Sequence, residues 1–310
     1  MCFLCYNKII KLLLKIITEH AMDKLFGIID IGSNSIRLMI SDGKKSLKKY
    51  VETTKLADGL AKTGILQDAA MERSLFAIQK FVEIAKEYNA EIHIFATEAV
   101  RSAKNSSVFT SDIKRLTDKE VDVVCGDMEA KLGFTGASEG QNVCVVDIGG
   151  ASTEIVCGDN GNIIYGKSVP IGAVRLRDNC GEDEYKLQTY IAENLKNYGT
   201  VPTMDKLVAI GGTASTLVSV LLQMEEYNSN LVHNYKLCKK DIEKIYNQIK
   251  NTAPKERSRI KGLVAGRRDI IVGAAFELIK IMEMLGFEYL FVSEKDNLEG
   301  YLMLNKDKWQ

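Results

Sequence analysis

The sequence predicts an α/β protein of two duplicated domains with a cleft between them, and three observations support this prediction. The chain has 310 residues, 46% of them hydrophobic, which is enough to fill two medium-sized cores. The pattern Asp-Ile-Gly-x-x-Ser begins at Asp30 and again at Asp147. Strand-like apolar runs also alternate with helical segments along both halves, which is typical of a mixed sheet covered by helices.

Each copy of the repeated pattern follows a buried-strand run and precedes alternating apolar residues, so the repeated unit is a strand, a tight glycine turn and a second strand. The first half is predicted to contain strands over 25–29, 91–96 and 121–125 and helices over 68–88, 97–104 and 111–117. The second half is predicted to contain strands over 143–146, 163–169, 206–210 and 289–292 and helices over 183–198, 214–224, 240–250 and 269–285.

The predicted domains are residues 22–138 and 139–310, divided near a short Gly/Ser/Glu segment, with a last helix that can pack back on the first domain. Residues 1–21 are interpreted as a dispensable leader before Met22. Its apolar part, Phe3 to Ile17, is interrupted by three lysines and is too short for the ~20 residues that span a bilayer, so no stable membrane insertion is expected. Its helically spaced lysines leave a membrane-surface helix as the alternative.

The net charge limits which partners are expected, and the cysteines indicate the cellular compartment. Acidic and basic residues number 41 each, so no overall field attracts nucleic acid, and any anion site must be local. Five of the seven cysteines stand singly, mostly in apolar runs, which favours a reducing cytoplasm. Cys2 and Cys5 form a CxxC pair without the second pair that a metal site would need.

Three strand-to-glycine turns present backbone N–H groups to an anion. Two of them belong to the repeats and are expected to face each other across the cleft, and the third opens a helix. Any one alone could be an ordinary turn or helix cap, but their convergence predicts a phosphate site, although none is a Walker loop. The predicted phosphate-binding residues in the turns are Gly32, Ser33, Asn34, Ser35, Gly149, Gly150, Ala151, Ser152, Thr153, Gly211, Gly212 and Thr213.

Thr97 and Arg101 are predicted to belong to the same site. Thr97 lies at a strand end where it can cap a helix, and Arg101 follows one helical turn later on the same side. A guanidinium offers a fork of donors that suits phosphate. The alternative is an exposed arginine on a helix surface.

Three acidic residues stand close to these turns in the sequence: Glu129, Asp147 and Glu154. Carboxylates beside phosphate loops repel a polyanion unless a divalent cation intervenes, so the cluster implies Mg²⁺ or Mn²⁺. Glu129 is then left to orient or deprotonate water. Taken by itself, without the other motifs, Glu129 is better interpreted as a surface glutamate on a helix.

Together these motifs resemble the exopolyphosphatase and guanosine pentaphosphate phosphatase family. This family is a branch of the superfamily of ribonuclease-H-like folds that includes actin, sugar kinases and heat-shock chaperones. The resemblance runs from Phe26 to about Gly300, nearly the whole chain. The motifs that carry it lie at residues 30–38, 96–105, 147–154, 211–214 and 256–269.

The resemblance implies two duplicated ribonuclease-H-like domains and gives roles to individual residues. Glu129 matches the general base of the family, and Asp147 and Glu154 match the residues that position metal and water. Arg37 and Arg101 match arginines that hold phosphates together with the glycine turns. In the first repeat Arg37 takes the place that Glu154 takes in the second, so one half would bind phosphate and the other the cation. Symmetric dimers are common in the family.

The chain departs from the family pattern at several positions. Ala151 replaces a loop glycine, Lys131 replaces an arginine, and Asp296 and Leu298 replace a glycine and an arginine. These changes bear on the geometry of the substrate channel and leave the chemistry intact. The chain also resembles the short form without the helical C-terminal extension, so short polyphosphates are the expected substrates. Faster cleavage of longer chains in a length series would refute this.

The expected activity is release of terminal orthophosphate from inorganic polyphosphate by in-line attack of water. Hydrolysis of guanosine pentaphosphate by the same groups is the nearest alternative. A kinase or chaperone-like ATPase is disfavoured, because no adenosine-loop proline follows the third glycine turn. A non-catalytic sensor is disfavoured because all three carboxylates are present.

Overall fold

The computed structural model describes residues 24–139 and 142–309, so the predicted leader and residues 140 and 141 of the expected domain boundary lie outside the described residues. The first sheet contains β1 (Phe26–Ile31), β2 (Ser35–Ser41), β3 (Ser46–Thr53), β4 (Glu91–Ala96) and β5 (Val121–Val123). Its order is β3-β2-β1-β4-β5. Strands β1 to β3 form an antiparallel meander, and β4 and β5 run parallel to β1.

The second sheet contains β6 (Val143–Ile148), β7 (Thr153–Asp159), β8 (Asn162–Val169), β9 (Lys206–Ile210), β10 (Tyr235–Cys238) and β11 (Tyr289–Val292). Its order is β10-β11-β9-β6-β7-β8. Strands β6 to β8 form an antiparallel meander, and β9 and β11 continue in parallel, so the second sheet repeats the first and adds β10. The predicted two-sheet α/β architecture is confirmed.

Helices connect and cover the strands. The first half contains α1 (Leu60–Thr63), α2 (Asp68–Glu87), α3 (Glu98–Ser102), α4 (Ser106–Thr117) and α5 (Gly126–Ala137). The second half contains α6 (Ala173–Cys180), α7 (Glu184–Leu195), α8 (Gly211–Leu221), α9 (Ser229–Val232), α10 (Lys239–Lys250), α11 (Ile271–Leu285) and α12 (Asn297–Asn305). Short 3₁₀ segments lie at Lys196–Tyr198, Pro254–Arg259, Ala265–Arg267 and Lys306–Lys308. No helix within residues 24–139 and 142–309 is long and apolar enough to cross a bilayer.

Apolar spacing explains how these elements pack. Helix α10 buries Ile242, Ile245, Tyr246 and Ile249 at spacings of three and four, which places them on one face. Strand β1 is buried at every position because both faces of the sheet are covered there: Ile29 and Ile31 belong to the main core, and Phe26 and Ile28 to a second core on the opposite face. The predicted helix over 214–224 begins earlier, at Gly211, so the third glycine turn is itself the first turn of α8.

The last helix of the second half, α12, packs on the first sheet. Its Leu298, Tyr301 and Leu302 share a core with residues of β1, β2 and β4, and the ring of Tyr301 stacks on Phe95 with centroids 4.5 Å apart. Where α12 crosses α5, Gly300 leaves room for the backbone of Leu132. A small residue at this crossing is therefore required for the two helices to meet.

Gly300→Ala is expected to lower the free energy of unfolding by about 3 kcal/mol, the upper part of the range for overpacked cores. A Cβ at Gly300 would lie 1.9 Å from the Leu132 carbonyl oxygen, and backbone cannot move aside cheaply. Alanine favours a helix over glycine, so any loss must come from this contact. Urea unfolding measures it, with Gly166→Ala as control because a Cβ there meets atoms only at 3.9 Å. Equal midpoints for Gly300→Ala and wild type would contradict the packing argument.

Candidate active site

A cavity of about 840 Å³ opens between the two sheets, where the β1–β2 and β6–β7 turns meet the start of α8. Most of the site residues predicted from the sequence lie on its wall. They are Gly32, Ser33, Asn34, Ser35, Arg37, Thr97, Glu129, Asp147, Gly149, Gly150, Ser152, Gly211 and Gly212.

The two repeated turns have the same backbone hydrogen bond and touch each other. The N–H of Gly32 donates to the Ser35 carbonyl at 3.1 Å, and the N–H of Gly149 donates to the Ser152 carbonyl at 3.0 Å. A Cβ on Gly150 would lie 2.6 Å from the Ser33 Cβ, so only glycine allows this approach. The sequence repeat is therefore a structural repeat whose two copies face each other.

The third turn completes one end of the cavity. Gly211 has φ of +78°, which favours glycine, and a Cβ there would lie 2.6 Å from Asp147 Oδ1. The guanidinium of Arg267 lies directly against Gly212, where a Cβ would be 1.6 Å from its Nη2. Within the described residues the side chain of Arg267 has no hydrogen bond or ion pair, and burial together with the charge of Arg37 lowers its pKa to about 10, although the charge of Asp147 opposes this. Arg267 is thus a guanidinium that faces the cavity without a partner.

Asp147 and Glu154 lie side by side. They are directly paired across β6 and β7, so their side chains point to the same face of the sheet. Asp147 Oδ2 accepts from Asn297 Nδ2 at 3.3 Å, and Glu154 Oε1 accepts from the Ser168 hydroxyl at 2.6 Å. Glu154 is 3% exposed and lies just behind the cavity wall.

Glu129 lies in the first turn of α5 and accepts from Arg101 Nη1 at 3.0 Å. Burial raises the pKa of Glu129 to about 7, although Arg101 opposes this. Burial likewise raises the pKa of Asp147 to about 6 against the effect of Arg37. The pKa of Glu154 is raised by burial and further by the charges of Glu129 and Asp147. The three carboxylates therefore form one electrostatically coupled group, which a cation would stabilise.

Arg37 in the first repeat occupies the place of Glu154 in the second, because Asp30 pairs with Arg37 in the same register as Asp147 with Glu154. Arg37 Nε donates to Asp30 Oδ2 at 2.9 Å, and Nη1 forms an ion pair with Asp296. Burial acts to lower the pKa of Arg37, but Asp296 and Asp30 raise it overall. The arginine predicted to hold phosphate is thus already engaged by two carboxylates.

Arg101 reaches the site through a chain of ion pairs. Besides Glu129, it donates to the Val124 carbonyl at 2.6 Å and through Nε to Glu98 Oε2 at 3.1 Å. Glu98 also lies 3.5 Å from Arg175 Nη2, and Arg175 Nε donates to the Ala151 carbonyl at 2.8 Å. This chain links the proposed base to the second-repeat turn.

Two predicted threonines, Thr153 and Thr213, turn their side chains away from the cavity. The Thr153 hydroxyl donates to Glu277 Oε1 at 2.6 Å, and the Thr213 hydroxyl donates to the Ile148 carbonyl at 3.2 Å. Thr97 is the N-cap residue of α3, but it caps with its backbone carbonyl, which accepts from the Arg101 N–H at 3.0 Å, and not with its hydroxyl as expected. Thr153 and Thr213 can therefore offer only backbone groups to an anion, whereas Thr97 stays on the cavity wall.

Several cavity residues were not selected from the sequence as site residues. Arg267 belongs to the motif at 256–269 that carries the resemblance, but no local spacing shows that it reaches the glycine turns. The others include Lys48, Lys49, Tyr227, Glu294, Asp296 and Asn297. The first three come from an edge strand and a loop without a recognisable pattern, and the last three from the segment that departs from the family pattern at Asp296 and Leu298.

Glu277→Gln is expected to flatten the pH dependence of stability. The Glu277 side chain is fully buried, and burial raises its pKa from 4.5 to about 8. The folded state therefore holds a proton that the unfolded state loses. Between these pH values Glu277 should lower the free energy of unfolding as pH rises, at roughly 1.4 kcal/mol per unit.

Urea unfolding of the Glu277→Gln and wild-type proteins at pH 5 and pH 8 measures this effect. From pH 5 to pH 8, the free energy of unfolding of the variant should rise relative to that of wild type by a few kcal/mol. Glu283→Gln is the control, because Glu283 lies on the same helix but is exposed and pairs with Lys280. Identical pH dependence in wild type and Glu277→Gln would show that Glu277 is ionised in the folded protein.

Comparison with known proteins is consistent with this geometry. Residues 28–307 match the model of the Ppx/GppA phosphatase family. The chain is 32% identical to a bifunctional 3-dehydroquinate synthase/phosphatase of Fusobacterium nucleatum, over 94% of this chain but only 48% of that protein. It is 31% identical to exopolyphosphatase 2 of Mycobacterium tuberculosis over 88% of this chain and 95% of that one. It is 26% identical to the guanosine-5'-triphosphate,3'-diphosphate pyrophosphatase of Aeromonas hydrophila over 90% of this chain and 58% of that protein.

Solved structures agree with the fold. The Ppx/GppA family member of Aquifex aeolicus superimposes with a TM-score of 0.75 at 28% identity, covering 93% of this chain and 99% of that one. An exopolyphosphatase of Cytophaga hutchinsonii superimposes with a TM-score of 0.82 at 27% identity, covering 91% of this chain and 98% of that one. With the family match across nearly all described residues, this chain belongs to the Ppx/GppA phosphatase family.

Proposed function

We propose that this protein is a phosphoric anhydride hydrolase that releases terminal orthophosphate from inorganic polyphosphate, with a preference for short chains. The observation that carries the proposal is the meeting of three glycine turns with three coupled carboxylates at one end of the cavity. The turns supply N–H donors for phosphate oxygens, and the carboxylates supply a base and cation ligands. The exopolyphosphatase relative, which is covered almost completely, supports the same activity.

The donor set fits a divalent cation. Asp147 and Glu154 would hold Mg²⁺ or Mn²⁺, because both are carboxylates on one face of the sheet. Burial disfavours their ionised forms and raises the pKa of both, and a bound cation would offset that cost. Within residues 24–139 and 142–309 no cluster of three or more His, Cys, Asp or Glu side chains forms a complete cage. Two protein ligands suit Mg²⁺, which keeps waters and binds substrate phosphates. When bound, the ion would supply charge neutralisation for the leaving phosphate.

Glu129 is the proposed general base. A water between Glu129 and the terminal phosphate would lose its proton to the Glu129 carboxylate as it attacks the phosphorus. Arg101 holds Glu129 in place and limits the rise of its pKa, which burial takes to about 7, so a share of the groups is ionised and able to accept a proton at neutral pH. Backbone N–H groups of Ser33 to Ser35, Gly150 and Gly211 to Thr213 would hold the phosphate oxygens, since those of Gly32 and Gly149 already donate within their turns.

Arg267 is the side chain best placed to bind the substrate. It lies against Gly212 within the third turn and has no partner among the described residues. Arg37 and Arg101, which the resemblance points to, must share or exchange their carboxylate partners to contact phosphate. We therefore assign the first phosphate contact to Arg267 and the adjacent turns.

Hydrolysis of guanosine pentaphosphate is the second candidate. The cavity continues beyond the turns to Tyr227, Asn230 and the hydroxyls of Ser215 and Ser219, which is room for a nucleoside attached to the phosphates. A relative with this nucleotide specificity matches most of the chain. The same base and turns would serve both reactions.

Phosphate release from tripolyphosphate, long polyphosphate and guanosine pentaphosphate, measured in parallel with Mg²⁺ and with Mn²⁺, tests the proposal. Faster release from a polyphosphate supports the exopolyphosphatase assignment, and faster release from the nucleotide favours the second candidate. If none of the three releases phosphate, the hydrolase proposal fails.

A further inference from the structure

The charges that line the cavity do not favour a long polyanion. Five lysine and arginine side chains and six carboxylates line it. The basic residues are Arg37, Lys48, Lys49, Lys295 and Arg267, and the acidic residues are Asp30, Glu129, Asp147, Glu294, Asp296 and Glu299. Three of the six acids, Glu294, Asp296 and Glu299, come from the short connection between β11 and the first turn of α12, which we call the acidic arm.

The acidic arm engages the cations that a polyphosphate would otherwise meet. Asp296 forms an ion pair with Arg37. Lys49 Nζ donates to Glu299 Oε2 at 2.9 Å and to the Glu294 carbonyl at 2.6 Å. Both cations belong to the first sheet, whereas the arm follows the second sheet. The arm therefore reaches across the cleft and neutralises the opposite wall.

Asp296 is held in this position by the fold. It is 7% exposed and is the N-cap of α12, where its Oδ1 accepts from the Leu298 N–H at 2.9 Å. The Glu299 side chain accepts from the Asp296 N–H at 3.0 Å and completes a capping box. Burial acts to raise the pKa of Asp296, but Arg37 and Lys49 lower it overall, so the group stays ionised. A capped and paired carboxylate cannot rotate away from an entering anion.

We propose that Asp296 is a specificity-determining residue that limits how many phosphates the site accepts. The inference rests on the proposed function and concerns the same cavity. A tripolyphosphate can be held by the glycine turns, Arg267 and the bound cation. Each further phosphate adds negative charge beside a fixed carboxylate and finds Arg37 already paired, so longer chains bind less well.

The test compares wild type with Asp296→Asn. Asparagine caps a helix as well as aspartate does, so α12 keeps its N-cap while the charge is removed. Asp183→Asn is the matched control. Asp183 is also an N-cap, accepting from the Lys186 N–H at 3.0 Å, but it is exposed and does not line the cavity.

The quantity to measure is kcat/KM for long polyphosphate divided by kcat/KM for tripolyphosphate. We expect Asp296→Asn to raise this ratio on the order of tenfold, mainly through a lower KM for the long chain. The gain should shrink at high salt, because salt screens charge repulsion. Asp183→Asn should leave the ratio unchanged.

An unchanged ratio in Asp296→Asn, with normal turnover of tripolyphosphate, overturns the inference and leaves the proposed function standing. Absence of turnover in every protein instead refutes the proposed function. In that case, calorimetric affinities of wild type and Asp296→Asn for the same two polyphosphates still decide the inference. If Asp296→Asn raises the affinity for long polyphosphate relative to tripolyphosphate, the inference is supported. If this ratio of affinities is the same in both proteins, the inference is overturned.

Discussion

Glu129→Gln is expected to lower kcat for phosphate release by ~10²- to 10⁴-fold with little change in KM. Glutamine keeps the shape of the side chain and an oxygen that can accept from Arg101, which now donates at 3.0 Å. It cannot accept the proton of the attacking water. Because the glycine turns and Arg267 are untouched, substrate affinity should be retained.

The measurement is single-turnover and steady-state phosphate release on the substrate that wild type cleaves fastest. Glu120→Gln serves as the control, because Glu120 is 77% exposed and pairs with Lys114 on the surface. Turnover of Glu129→Gln within tenfold of wild type would remove Glu129 from the role of base. The assignment would then have to pass to Asp147 or Glu154.

Arg267→Met is expected to weaken binding of tripolyphosphate by about 100-fold, or about 2.7 kcal/mol, which lies within the roughly 2–5 kcal/mol typical of truncating one partner of a buried charge pair. The same change should stabilise the substrate-free protein. Without an anion the guanidinium is buried against Gly212 beside Arg37, and both burial and Arg37 lower its pKa to about 10. A methionine of similar length fills the space without that cost.

Thermal unfolding with and without tripolyphosphate measures both effects together. Tripolyphosphate should raise the Tm of wild type, because a ligand that binds only the folded state stabilises it. Arg267→Met should have a higher Tm than wild type without the ligand, and the ligand should raise it little. Arg259→Met is the control, because Arg259 is 81% exposed and pairs with Glu256 outside the cavity. Equal protection of Arg267→Met and wild type by the ligand would exclude Arg267 from the phosphate site.

The repeated turn and the acidic residues around it could be found from the sequence because they follow from local physics. A buried strand that ends in Asp-Ile-Gly must turn sharply, and two such units one domain apart predict two matching sheets. The observed strand orders and the paired hydrogen bonds at Gly32 and Gly149 agree with this. The proximity of Asp147 and Glu154 follows from the same strand–turn–strand unit.

The partners of the charged side chains could not be found in this way. Arg37 and Asp296 are far apart in the sequence, and their ion pair depends on α12 docking against the first sheet. Arg267 reaches Gly212 from a 3₁₀ segment whose position is set by the loops around it. Packing also decides the orientation of Thr153 and Thr213. Their hydroxyls donate to Glu277 and to the Ile148 carbonyl, so these side chains point away from the cavity.

The sequence by itself determined the fold class, the duplication, the three glycine turns and the carboxylates that the chemistry needs. These features depend on strand periodicity and turn geometry, which act over a few residues. The tertiary structure alone decided which cations are free and which are neutralised across the cleft. That balance depends on how two sheets and a returning helix dock, because electrostatic pairing depends on distance in space and not on separation along the chain.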